Sequence, residues 1–136
     1  MYIMCIYIPV SGEPELVMIE RERFNEEVCR LIECWAYDMV RVHSLYSCAQ
    51  QTYLIVDDEG LLKHREINRV ATKLAAPAHS YHLVGPAVLI VEDFVDGEPD
   101  VGSLSQVELE IWLHCINRLL EKERLIEYQM EVEQDE

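Results

Sequence analysis

Residues 83–94 read LVGPAVLIVEDF, and every position from Ala87 to Val91 is apolar. Val, Ile and Leu in so short a run favour a strand. The unbroken apolarity predicts a central place in a sheet. Pro86 has no N–H to give to a ladder, so it belongs near the strand's start.

The rest of the chain arranges itself around this strand. Tyr2–Val10 is rich in Ile, Tyr and Val and predicts a buried strand. It lacks the basic leading segment of a signal peptide, and Pro9 and Glu13 cut its apolar run far short of membrane-spanning length. Ser11-Gly12-Glu13-Pro14 is turn chemistry, and Leu16–Ile19 returns as the second arm of a hairpin. A third strand is read over 37–45 and a fourth over 51–56 (QTYLIV). Asp57-Asp58-Glu59-Gly60 closes a turn, with Gly60 expected at positive φ, and Leu61-Leu62 continues as a short fifth strand.

Three helices are predicted. Phe24, Val28, Leu31, Ile32 and Trp35 share one helical face, opposite Glu26, Glu27, Arg30 and Glu33. Ile67, Val70, Ala71 and Leu74 mark a second helix over 66–75, ended by Pro77. The third opens with Ser105 and Glu108 in capping-box spacing and continues through Leu109, Trp112, Leu113, Ile116, Leu119 and Leu120. Its apolar arc spans roughly 200°, wider than a single contact needs, so a second copy through 104–120 is expected. Asp96–Asp100 reads as a solvated loop and the segment after Lys122 as a fraying acidic tail. The fold class is α+β: one mixed or mainly antiparallel sheet of about five strands with about three helices on it. The domain spans 1–122, followed by the tail at 123–136.

The totals narrow the function. With 136 residues, half of them hydrophobic, the chain has the size of one folded domain. Its net charge of −15 opposes direct binding to nucleic acid, which needs Lys and Arg against phosphate. It suits a basic protein partner. The five cysteines (Cys5, Cys29, Cys34, Cys48 and Cys115) include no Cys-x-x-Cys pair, so neither a disulfide framework nor a zinc site is expected. Cys29 and Cys34 are about 140° apart on a continuous helix and share no face. A cytoplasmic protein with reduced thiols, no membrane association and no cofactor follows.

Several short motifs occur in a recognisable order: Glu59-Gly60 and Leu62, Asn68-Arg69 and Ala71, Val84-Gly85, then Leu104-Ser105. In this the chain resembles the phage- and mobile-element-encoded family called domain of unknown function three-eight-four-six, over roughly residues 1–115. The chain departs from it in three places. Asp57 or Asp58 replaces the usual Asn, Cys34-Trp35-Ala36 stands where Gly-Gly often ends the first helix, and the spacer from Leu74 to His82 is long. The resemblance implies a fold and a phage-like origin, and no activity.

Two surfaces are candidates for function. From Leu61 to His82 the chain carries Lys63, Arg65, Arg69 and Lys73 against a single acid, Glu66, with His64, His79 and His82 alongside. Arg65, Arg69 and Lys73 recur every four residues. With Asn68 and His82 they form a candidate site for a small anionic, nucleotide-like ligand, or else a face that is solvated or paired with Asp57 and Glu59. The second surface is acidic. Glu123, Glu127, Glu131 and Asp135 also recur every four residues, about 6 Å apart if helical. That is close to a row of backbone phosphates, and Glu92, Asp93, Asp96, Glu98 and Asp100 are positioned to extend it. A DNA mimic, occupying the groove of a host nucleic-acid-binding defence or regulatory protein, is the alternative function. A purely structural or oligomerisation module is the third.

Catalysis has no local signature. His-Glu-x-x-His, calcium-loop spacing, Gly-x-Ser-x-Gly and a phosphate-cradling glycine loop are all absent. Asp57-Asp58-Glu59 sits at a turn, where Asp is common. A non-enzymatic binding protein without metal is therefore expected.

Overall fold

A computed structural model describes residues 1–42, 51–76 and 82–134. Its elements run β1 (Tyr2–Ile8), β2 (Glu15–Glu20), a 3-10 turn (Arg21–Arg23), α1 (Phe24–Ile32), β3 (Tyr37–Arg41), β4 (Thr52–Asp57), α2 (Arg69–Ala75), β5 (Ala87–Val95), β6 (Glu98–Gly102) and α3 (Gln106–Gln134). The six strands form one sheet in the order β2-β1-β5-β4-β3, and β6 also pairs with β5. Every pairing is antiparallel. The fold is α+β.

β5 is central because both of its faces and both of its edges are occupied. β4 lies along one edge. The other edge is shared: β1 pairs through Ile8↔Ala87 to Ile6↔Leu89, and β6 takes over from Val91↔Gly102 to Val95↔Glu98. Alternate side chains go to opposite layers. Ala87, Leu89 and Val91 join Ile6, Ile8, Leu54 and Val56 beneath α2 and α3, whereas Val88 and Ile90 join Ile3, Cys5 and Ile55 beneath α1. A helix layer on each face explains why the run 87–91 is apolar without interruption.

The structure revises several expectations. α1 ends at Ile32, not Trp35. Glu33 adopts a left-handed conformation (φ 56, ψ 58), and the N–H groups of Glu33 and Cys34 return to the carbonyls of Arg30 and Cys29. This Schellman turn throws Trp35 outward, where it is 91% exposed, and Leu31 is only half-buried.

Leu61 and Leu62 form no strand. The segment 57–65 winds through Lys63 N–H to Glu59 O, His64 N–H to Leu61 O and Arg65 N–H to Gly60 O, leaving both leucines in solvent. Gly60 lacks a positive φ, and its need for glycine is steric: an added Cβ would lie 2.6 Å from Val84 Cγ2. Gly60→Ala is accordingly expected to cost about 1–3 kcal/mol, measurable by urea denaturation.

The acid-rich stretch at 96–100 is a hairpin. Asp96 and Gly97, at φ 53 and 81, make a two-residue turn between Val95 and its partner Glu98. α2 begins at Arg69, because Ile67 is held in a bridge with Val84 and Asn68 is the N-cap. Its first residues after the C-cap Ala76, including Pro77, lie outside the described residues, as do 43–45 of the third predicted strand.

The segment after Lys122 does not fray. α3 is one helix of 29 residues, about 43 Å long, and 121–134 contains neither Gly nor Pro to stop it. The capping box is present: Ser105 N–H donates to Glu108 Oε1 (2.9 Å), and Glu108 N–H to Ser105 Oγ (3.2 Å). Leu109, Trp112, Ile116 and Leu120 are buried against the sheet. α2 packs beside α3, with Leu113, Cys115 and Leu119 half-buried at its flanks. The arc between Leu104 and Leu120 is filled only in part: Val107 is 63% exposed, and Ile111 and Cys115 are half-buried.

Candidate functional site

The basic segment is divided between structure and solvent. The Asp57 carboxylate is fully buried, and Oδ2 accepts from Lys63 Nζ at 2.9 Å and from Arg65 at 2.8 Å. Asp57 Oδ1 accepts the backbone N–H of Glu59 at 3.0 Å. The same Arg65 nitrogen donates to the carbonyls of Ile32 (2.7 Å) and Glu33 (3.3 Å) at the end of α1. Cations are favoured at a helix C-terminus, where carbonyls lack partners. Gly85 lets the guanidinium lie flat against the backbone, since a Cβ there would come within 2.8 Å of Arg65 Nε. Burial opposes ionisation of Asp57. The bonds from Lys63, Arg65 and the Glu59 N–H together outweigh that opposition and hold its pKa below the usual carboxylate value.

Asn68 is also internal. Its Oδ1 accepts Ala71 N–H at 3.0 Å and caps α2, while Nδ2 donates to the carbonyls of Ile8 (3.1 Å) and Gly85 (3.0 Å). One fully buried amide thereby ties together β1, the entry to β5 and α2. Arg69 and Lys73 are exposed on α2 and form no ion pair among the described residues. His82 is exposed and lines a shallow cleft of about 150 Å³ with Asp38 and Asp58. Their carboxylates are the wrong partners for an anion. The six predicted residues therefore do not converge: Lys63, Arg65 and Asn68 hold the fold, His82 faces acids, and only Arg69 and Lys73 remain as solvent-facing cations. His79 lies outside the described residues.

The acidic row is brought together as a linear array. Along α3 the residues 109, 112, 116, 120, 123, 127 and 131 follow one another at steps of three or four, so they occupy one face. As far as Leu120 this face lies on the sheet. Beyond it the face turns acidic, with Glu123 half-buried and Glu127 and Glu131 exposed. Arg124 meets Glu13 of the β1–β2 turn at 2.8 Å, which marks the edge of the domain. Past that point no side chain of the helix as far as Gln134 is fully buried: the carboxylates share the surface with exposed Leu125, Ile126, Tyr128, Met130 and Val132. Asp135 lies outside the described residues.

The second acidic cluster does not extend this array. The β5–β6 hairpin tip lies at the end of β5 remote from Ala87, whereas Ala87 pairs with Ile8, next to the turn that Arg124 reaches. The two acidic regions stand at opposite ends of the sheet.

A third feature had no counterpart in the sequence reading. α1 covers only part of its face and leaves a cleft of about 490 Å³, floored by Phe24, Tyr37, Met39, Ile90 and Val101. Phe24 and Tyr37 meet edge to face at 6.2 Å, and Arg21 pairs with Asp100 at the rim at 3.7 Å. The sequence carried no signal for it, because the first helix ends at Ile32, three residues before the Trp35 to which its periodicity runs. Among the described residues no group of three or more His, Cys, Asp or Glu side chains is placed to hold a metal ion, and no helix is long and apolar enough to cross a membrane.

Compared with protein-family models, curated proteins and solved structures, the chain matches none.

Proposed function

We propose that this is a non-enzymatic binding protein that presents the far end of α3 to a basic, nucleic-acid-binding surface of another protein. The observation carrying this reading is the continuity of α3. Glu123, Glu127 and Glu131 stand on one face of an unbroken helix that outruns its own sheet. Successive carboxylates rise about 6 Å along the axis. A helix joined to a packed segment holds this spacing at lower entropic cost than a free tail would. The overall charge of −15 adds long-range attraction for a basic partner.

The resemblance to a phage-borne family directs the proposal toward a host defence or regulatory protein. Of its described residues the small-anion reading retains only Arg69 and Lys73, two exposed side chains that line neither of the clefts above, and it is the weaker of the two.

Immobilised protein is expected to capture nucleic-acid-binding proteins from host extract at low salt and to release them as salt rises. Charge reversal in the combined variant Glu123→Lys, Glu127→Lys, Glu131→Lys reduces capture tenfold or more, whereas Arg69→Ala leaves it unchanged. Capture lost with Arg69→Ala and retained in the triple variant would sink this reading in favour of the ligand site.

A further inference from the structure

Cys29 and Cys34 are separated by the helix end that Glu33 creates. On a continuous helix they point apart. Here Cys34 follows the left-handed residue, and its N–H closes on the Cys29 carbonyl at 2.9 Å. A side-chain contact between these two positions frequently accompanies a Schellman turn. The bonds along the path from Cα through C=O and N–H to Cα limit the Cα separation to about 7 Å, the upper bound for a disulfide. The Cys29 thiol donates to the Trp35 carbonyl (3.9 Å), just beyond Cys34, and both cysteines are only half-buried. Cys5 is sealed in the core, and Cys115 lies on the opposite face of the sheet among the flanks of α3.

We propose that Cys29 and Cys34 form a reactive dithiol that a low-molecular-weight disulfide, such as oxidised glutathione, converts into an internal disulfide. One cysteine thiolate attacks a sulfur of the small disulfide, giving a mixed disulfide and releasing one small thiolate. The neighbouring cysteine loses its proton and displaces the second small thiol. Two electrons pass from the cysteine pair to the small disulfide, which leaves as two thiols. Burial, then its neighbour Cys29, pushes the Cys34 thiol up to about 12, so Cys34 is a poor first nucleophile and serves as the resolving thiol. The new bond locks the end of α1, whose last carbonyls Arg65 already holds.

Peptide mapping of the full-length protein tests this without any variant, because Arg30 lies between the two cysteines. After incubation with oxidised glutathione and tryptic digestion, residues 24–30 and 31–41 are expected as one linked species that separates on reduction. The oxidised protein should also melt several degrees higher than the reduced one. In Cys29→Ser and Cys34→Ser variants the partner thiol should keep its glutathione adduct. Separate adducts on Cys29 and Cys34 of the unmodified sequence would overturn the proposal. So would linkage of either cysteine to Cys48, Cys115 or a second chain.

Discussion

Asp57→Asn is expected to remove about 3–5 kcal/mol of folding stability, read from urea denaturation at neutral pH. The substitution keeps the shape of the side chain and removes its charge. Arg65 is then left with its guanidinium half-enclosed between the end of α1 and Gly85, without the carboxylate 2.8 Å away that neutralised it. The carbonyls of Ile32 and Glu33 still accept its N–H groups, but they carry no net charge. Lys63, more exposed, swings into solvent at little cost. Removing the stranded cation should therefore recover part of the loss: Asp57→Asn with Arg65→Met is expected to be more stable than Asp57→Asn alone. The pH dependence has a definite sign. The folded-state pKa of Asp57 is depressed, so its contribution is complete above the unfolded-state value of about 3.9. It is lost as pH falls through the lower folded value. Acid unfolding of the Asp57→Asn protein should show a shallower fall across that range.

Asn68→Ala is the second large effect, expected at about 3 kcal/mol. Loss of the N-cap alone costs about 1 kcal/mol. Two buried carbonyls, of Ile8 and Gly85, then lose their donor, each at about 1–3 kcal/mol before relaxation. Asn68→Asp separates the two contributions. Aspartate caps a helix as well as asparagine does, so a residue that served only as a cap would tolerate it. Here the new carboxylate would face two carbonyl oxygens with nothing to donate, and the loss should match or exceed that of alanine. A neutral result for Asn68→Asp would show that the bonds to Ile8 and Gly85 contribute nothing.

These two residues show where the sequence was legible. Strand and helix periodicity follows from burial on one face or two, and that pattern is local. β5 was therefore readable from 87–91, and the start of α3 from Ser105 and Glu108. Pairing with Asp57, the alternative the sequence offered, is what Lys63 and Arg65 adopt, six and eight residues away. The other partners are not local: the end of α1 lies more than 30 residues before Arg65, and Ile8 lies 60 residues before Asn68.

Other errors had local causes. Asp96-Gly97 is a strong hairpin turn that was overshadowed by the surrounding acids. Glu33 gives no sign of a left-handed conformation usually filled by glycine, so α1 was drawn too long and the Cys29–Cys34 encounter was hidden. The acid spacing on α3 was legible, whereas its support by a continuous helix depended on Leu120 meeting the sheet just before the charges begin.

In the proposed function the carboxylates beyond Leu120 substitute for phosphates. Host-extract proteins bound to double-stranded DNA on beads provide the most direct measurement. Added at low salt, the protein should release a subset of them, and the Glu123→Lys, Glu127→Lys, Glu131→Lys variant should release at least tenfold less. Equal release by the variant, or no release by the unmodified protein, would contradict the claim.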